Sequence, residues 1–198
     1  MRIAQVSPWF YPHLGGVETH VATLSRELAA RGHQVTVVTA RHTPSAPEHE
    51  SIDGYDIVRV KPRMVAMRTP ITPRIRPVLR DLPMDVLHAH LPPPLSAQYA
   101  ADIAEQRDIP LVLTYHCDVE LPSIAGSFIE TLYRLSLGEA TLRRAAKVIV
   151  TTRTYAATSR AVWRHDPVVI PNAVDVRRFN PTVDSKEVRQ RLKIPRDR

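Results

Sequence analysis

Residues 1–40 read "MRIAQVSPWFYPHLGGVETHVATLSRELAARGHQVTVVTA". Ile3 to Val6 suit a strand, which Ser7, Pro8 and two aromatics interrupt before the Gly15-Gly16 pair. Val17, Val21, Leu24 and Leu28 then recur at helical spacing as far as Arg31-Gly32, where the glycine suits a C-terminal cap. Gln34 to Thr39 returns to β-branched residues. Strand, glycine pair, helix, strand is the unit from which parallel sheets are assembled.

The alternation continues. Tyr55 to Val60, Asp85 to Ala89, Pro110 to Tyr115, Lys147 to Thr151 and Val168 to Ile170 read as strands, several of them apolar on both faces as buried parallel strands are. Ala97 to Gln106, Phe128 to Ala146 and Thr154 to Trp163 read as helices. The expected class is α/β, a parallel sheet flanked by helices on both faces. Two segments break the rhythm. Thr43 to Gly54 is polar and carries Pro44, Pro47 and Gly54, so it reads as a loop with room for a short strand around Ser51 and Ile52. Lys61 to Pro83 threads prolines and arginines among Met, Val, Ile and Leu, and its interior prolines argue against a long regular helix. One domain over 1–171 is expected, with 172–198 as the start of a polar linker.

Composition narrows the functional classes. The 198 residues are 43% hydrophobic, enough for one sizeable core. The start, Arg2-Ile3-Ala4-Gln5-Val6, is too short for a secretory signal, and no run approaches the roughly 18 apolar residues that cross a bilayer, so a cytoplasmic location is expected. The single cysteine, Cys117, cannot form an internal disulfide. Twenty-seven Lys and Arg against 20 Asp and Glu leave a formal charge of +7, which favours anionic partners. The arginines are scattered without an aromatic-interleaved stripe, and no helix-turn-helix or zinc-finger pattern is present, so nucleic acid is not expected.

The residues suited to chemistry fall where strands end. Gly15-Gly16 lies between a strand and a helix, where open α/β sheets bind ligands. Two readings stay open: a tight turn that needs positive φ, or a backbone that approaches a phosphate at the helix N-terminus. Neither the GxGxxG fingerprint nor a Walker A loop is present. His88 and His90 bracket the end of one strand, and His116 follows the next with Asp118 two residues on. A histidine at that edge can donate to a sugar hydroxyl or a phosphate oxygen. His88, His90, His116 and Asp118 could together hold a metal, but no closely spaced ligand motif supports one and none is expected. His88 reads as a strand histidine satisfied by a neighbour, Glu18 as a carboxylate steadying a helix N-terminus, and Cys117 as a packing residue rather than a nucleophile.

"YPHLGGVETHVATLSRELAARGHQVTVVT", "DVLHAH", "LTYHCD" and "VVIPNAVDVRRF", in this order, resemble the N-terminal half of retaining GT-B glycosyltransferases of family 4, the group that includes phosphatidylinositol mannosyltransferases. The resemblance covers essentially the whole chain. It implies a Rossmann-like, acceptor-side domain, with a nucleotide-diphosphate sugar as donor substrate and no metal or other cofactor. It implies that Gly15 and Gly16 approach the donor diphosphate, that His116 is the active-site histidine, and that Tyr11, His90, Asp118, Arg63 and Arg68 contact a lipid-linked or saccharide acceptor. The partner implied beyond the chain is a C-terminal donor-binding domain, because the sequence stops where that domain begins in the family. The Lys61–Pro83 segment is then a candidate for acceptor recognition and for peripheral attachment to an anionic membrane face, a solvated surface loop being the alternative. Ala173 stands where the family commonly has glycine, which puts the geometry of that turn in question. Two alternatives remain: a non-catalytic module binding a phosphorylated sugar or a partner, or one half of an enzyme split between two chains. A two-domain sugar-nucleotide epimerase fits the ordered motifs less well.

Overall fold

The computed structural model describes residues 1–66, 69–118, 124–176, 179–182 and 184–195. The chain starts with β1 (Arg2–Ser7), α1 (Gly16–Ala30) and β2 (Gln34–Ala40), as the periodicity requires. β3 (His49–Ile52) and β4 (Tyr55–Val60) follow, paired antiparallel. Asp53 and Gly54 both have positive φ at the turn between them, the geometry of a two-residue hairpin loop that matches strand twist. The expected short strand around Ser51 and Ile52 is therefore the outer arm of a hairpin.

The proline- and arginine-rich segment holds β5 (Met64–Ala66), β6 (Thr69–Ile71) and the seven-residue helix α2 (Ile75–Asp81). β5 and β6 form a small antiparallel sheet of their own. β7 (Val86–Leu91), α3 (Pro94–Gln106) and β8 (Leu111–Tyr115) resume the alternation. α3 starts three residues before the predicted Ala97, with Pro94 at its first position, where the missing amide hydrogen is no loss.

The helix expected over Phe128 to Ala146 is divided. α4 (Ile124–Tyr133) runs into a π-helical stretch, Arg134–Gly138, and then α5 (Glu139–Arg143). A Cβ on Gly138 would press on the Tyr133 ring and carbonyl at 3.2 Å, so glycine permits the wide turn to close over that tyrosine. β9 (Lys147–Val150), α6 (Arg153–Thr158), β10 (Val168–Val169) and α7 (Lys186–Arg191) complete the elements. The helix expected over Thr154 to Trp163 stops early. Ser159 turns to extended backbone and donates to Asp118 at 2.8 Å, a contact that fixes the chain where the helix would have continued.

Eight strands form one sheet in the order β10-β9-β8-β7-β1-β2-β4-β3, and only the β3–β4 pair is antiparallel. Strand order reverses between β1 and β7, so the carboxyl ends of those two strands open the crevice in which such sheets bind ligands. Helices cover both faces. On one side α2 and α3 pack over Val38, Leu87, Leu111 and Leu113, with Ile103 and Leu79 fully buried between them. Each of these side chains contributes roughly 1.5–3 kcal/mol through burial. On the other side Val21 of α1 packs with Phe10 on Ile3, Val35, Val37 and Ile57.

That second face is apolar only over half the sheet. Gln5 of β1 lies opposite His88 of β7, and His90 lies opposite Thr114 of β8, so strand alternation puts all four polar side chains on the same face. All four are buried. His88 is satisfied by the Thr114 hydroxyl at 2.7 Å, as its reading as a core histidine requires. Burial, and then the nearby imidazoles of His20 and His116, push its pKa down to about 3.

The neutral His88 ties stability to pH. Its folded pKa lies below the unfolded value near 6.5, so its contribution is complete above about pH 6.5 and is lost as pH falls toward 3. Urea unfolding at about pH 5 should show stability lower by roughly 2 kcal/mol than at about pH 7.5 from this residue alone. Equal stability at the two pH values would mean that the ring charges freely.

Candidate active site

His116 is the first residue beyond β8, and its amide donates to the Leu91 carbonyl at the end of β7 at 2.8 Å. This backbone bond holds the imidazole at the carboxyl edge, beside the switch point. His116 Nε2 lies 3.3 Å from His90 Nδ1, and His90 Nε2 lies 2.8 Å from Gln5 Oε1. The two rings stack at an interplanar angle of 25°. A chain of polar contacts thus runs from the interior of β1 to the sheet edge.

The orientation of the Gln5 amide decides the tautomers along that chain. Its oxygen faces His90, so His90 Nε2–H donates to it and His90 Nδ1 is left as an acceptor. His116 Nε2–H then donates to His90, which leaves His116 Nδ1 with a free lone pair for a hydroxyl proton. Burial pushes the His116 pKa down to about 4, helped by the neighbouring His20, and holds His90 well below the usual range. Both rings are therefore neutral near pH 7.

His20 completes the cluster and carries no signal by strand-end placement. It lies one turn into α1, four residues after Gly16, and its ring meets His116 edge-on at 5.0 Å and His90 at 5.6 Å. Its i+4 relation to Gly16 is the pattern that marks it, since both then project from the same end of one helix face. Burial lowers its pKa, and a hydrogen bond to the Asn172 side chain opposes that shift. Leu14, Gly15, Gly16, His20, Ile170 and Asn172 share a cavity of about 780 Å³ between α1 and the segment leaving β10.

The two glycines serve different purposes, and neither is the positive-φ turn. Gly15 caps α1 in extended backbone, φ −165° and ψ 177°. A Cβ there would overlap the Glu18 carboxylate, which is buried and bonded to His13 Nδ1 at 2.9 Å. Glu18 is thus more than a surface charge near the helix dipole: it occupies the space that Gly15 vacates. A Cβ on Gly16 would meet nothing within 4 Å. That side of the helix N-terminus is open to a ligand, and the first-turn amides have no intrahelical acceptor.

The remaining predicted site residues are dispersed. Tyr11 packs against the smaller core, with its ring edge-on to Phe10 at 5.3 Å and its carbonyl accepting from Arg59. Asp118 accepts from Ser159 and faces a separate cavity of about 370 Å³ with Tyr115, Tyr133, Arg134 and Arg160. Burial and the Asp118 charge raise the Tyr115 pKa. Arg63 lines a cleft of about 490 Å³ with Lys61 and Arg74 next to the β5–β6 pair. Arg68 lies outside the described residues. Arg76, within the same basic segment, is engaged structurally: it pairs with Asp102 at 2.7 Å and stacks over Tyr99. Cys117 is exposed, not packed, because it lies past the last ladder bond of β8 on the loop leaving the sheet. Ala173 has no positive φ, so its turn does not need glycine.

Comparison with known proteins identifies the family and the fold. The chain is 26% identical over 187 residues to a phosphatidylinositol N-acetylglucosaminyltransferase subunit of Arabidopsis thaliana, covering 91% of this chain and 41% of that protein. It is 36% identical over 122 residues to the phosphatidyl-myo-inositol mannosyltransferase of Mycobacterium leprae, covering 59% of this chain and 32% of that one. Among solved structures, the sucrose-phosphate synthase of Thermosynechococcus elongatus superposes with a TM-score of 0.68 at 18% identity, over 98% of this chain and 53% of that one. The chain spans less than half the length of these curated relatives. The sequence profile of Glycosyltransferase Family 4 matches residues 14–178, most of the chain, and the protein belongs to that family.

Proposed function

We propose that this chain is the acceptor-side half of a retaining glycosyltransferase. It would take a sugar from a nucleotide-diphosphate donor to a hydroxyl of a lipid-linked or saccharide acceptor, without a metal. The observation that carries the reading is that His20 joins two features at the strand ends: it lines, with Asn172, the cavity beside the open N-terminus of α1 at Gly16, and its ring meets that of His116 at 5.0 Å.

The chemistry follows from what each feature can do. The α1 amides and helix dipole favour the negative charge that grows on a leaving diphosphate. In a retaining transfer the leaving phosphate takes the proton of the acceptor hydroxyl attacking from the same face. His116, neutral and with a fixed tautomer, accepts a hydrogen bond from a sugar hydroxyl and orients the transferred residue. The remaining diphosphate contacts and the choice of sugar fall to a second domain, with residues 172–198 entering the connection to it.

The acceptor side would use the basic cleft of Lys61, Arg63 and Arg74, where an anionic headgroup finds cations, beside exposed Met64 and Val65. No helix among the described residues is long and apolar enough to cross a membrane. In this reading the domain sits peripherally on the cytoplasmic face of a membrane, each cation near an anionic surface contributing about 1 kcal/mol.

Three outcomes test the reading. In the protein containing both domains, Gly16→Ala should leave the melting temperature unchanged or raise it slightly, since alanine is favoured over glycine in a helix, while transfer drops roughly 10-fold or more. Gly15→Ala should lower the melting temperature by displacing Glu18; transfer untouched in Gly16→Ala would remove the phosphate role. His116→Ala should reduce kcat roughly 100-fold with little change in urea midpoint, and matched losses in both would make the residue structural. Sedimentation with phosphatidylserine vesicles should weaken when Arg63 and Arg74 become Ser, and equal sedimentation would refute membrane attachment through this cleft.

A further inference from the structure

The His20, His90 and His116 cluster has the makings of a coordination site. One ring nitrogen from each residue lies within 4.8 Å of the others. Zinc–nitrogen bonds of about 2.0–2.1 Å in a tetrahedron place ligand nitrogens roughly 3.3 Å apart, and the His90–His116 pair already stands at 3.3 Å. Bringing the remaining nitrogen in requires a shift of about 1.5 Å, within reach of small rotations of the two half-buried rings.

A further contact orients the cluster as coordination requires. A ligating histidine usually donates its other ring N–H to an acceptor that fixes its tautomer. His90 does this: Nε2–H goes to the buried Gln5 oxygen, leaving Nδ1 toward the cluster. His20 lines the same cavity as Asn172, whose side chain favours a proton on the ring. The set is three neutral nitrogens without a carboxylate among them, which suits zinc, copper, nickel or cobalt and disfavours magnesium and calcium. Three protein ligands leave a fourth position open to water or to a substrate oxygen.

From this geometry we infer that His20, His90 and His116 bind a divalent transition ion of the zinc class, and that the bound ion inhibits transfer by shifting the His116 tautomer and filling the space beside His20. Binding moves one proton: His116 gives up the hydrogen on Nε2, which becomes the ligand atom, and takes one at Nδ1, with no net change in ring charge. The lone pair that would face a sugar hydroxyl is then replaced by an N–H, and the space beside His20 is filled by the ion and its fourth ligand. The binding claim stands on the cluster alone; the inhibition claim rests on the transferase reading above.

Cobalt(II) titration of the tag-free 198-residue chain, followed by its ligand-field absorption, tests the site directly. One equivalent should give the intense bands of a tetrahedral centre, displaced by zinc. His20→Ala should weaken binding at least about 100-fold, and Gln5→Leu roughly 10- to 100-fold by removing the partner that orients His90. His42→Ala, in the separate cluster where His42 meets His13 at 4.8 Å, should change nothing. Absent bands, or bands that persist in His20→Ala, would overturn the site. In the two-domain protein, zinc should inhibit transfer, a chelator should restore it, and His20→Ala should raise the zinc concentration needed. Cobalt binding without zinc inhibition would overturn the inhibitory role. A chelated two-domain protein that transfers no sugar would instead sink the transferase reading and leave the cobalt result standing.

Discussion

β1 is hydrogen-bonded in parallel to β2 on one side and to β7 on the other, and the site depends on that arrangement. Parallel pairing brings the carboxyl ends of neighbouring strands to one edge. Reversal of strand order at β1 separates the connections there, so that α1 leaves one way and the β7–β8 unit lies the other way. His20 from α1, His90 from β7 and His116 after β8 meet across this gap although they are 26 to 96 residues apart in the sequence.

The same pairing explains why a parallel sheet tolerates a polar column through its interior. Gln5, His88, His90 and Thr114 occupy positions that apolar residues would fill in a purely structural domain. A buried polar group left without a partner is costly, so the column persists because its members satisfy one another: His88 with Thr114, His90 with Gln5 and His116. The Gln5 nitrogen has no partner among the described residues, which leaves the orientation of its amide resting on the His90 bond. Stability and tautomer control are thus properties of the same few contacts.

Much of this was legible in the chain. A short apolar run, then apolar residues at helical spacing, then a β-branched run marked β1, α1 and β2, and Gly32 with φ 84° closes α1 as its position required. His116 and the two glycines were placed at the sheet edge by the rule that strand ends face the ligand. His20 was passed over because its one local mark, the i+4 relation to Gly16, does not say which way the helix faces; the packing of α1 over β1 turns it toward β7. Helix interruptions at Gly138 and Ser159 were equally hidden, since each comes from a tertiary contact, with Tyr133 in one case and Asp118 in the other.

Side-chain periodicity and turn chemistry are local, and they set the α/β class, the order of elements, and which residue types reach the carboxyl edge. Tertiary structure alone decided what the glycines are for. Gly15 is small because a buried Glu18, pinned by His13, fills the space of its missing Cβ, whereas Gly16 opens outward. It also decided that three histidines from separate elements share one small volume while Tyr11 and Asp118 turn elsewhere. Such outcomes depend on distances between segments remote in the chain, and periodicity carries no record of those distances.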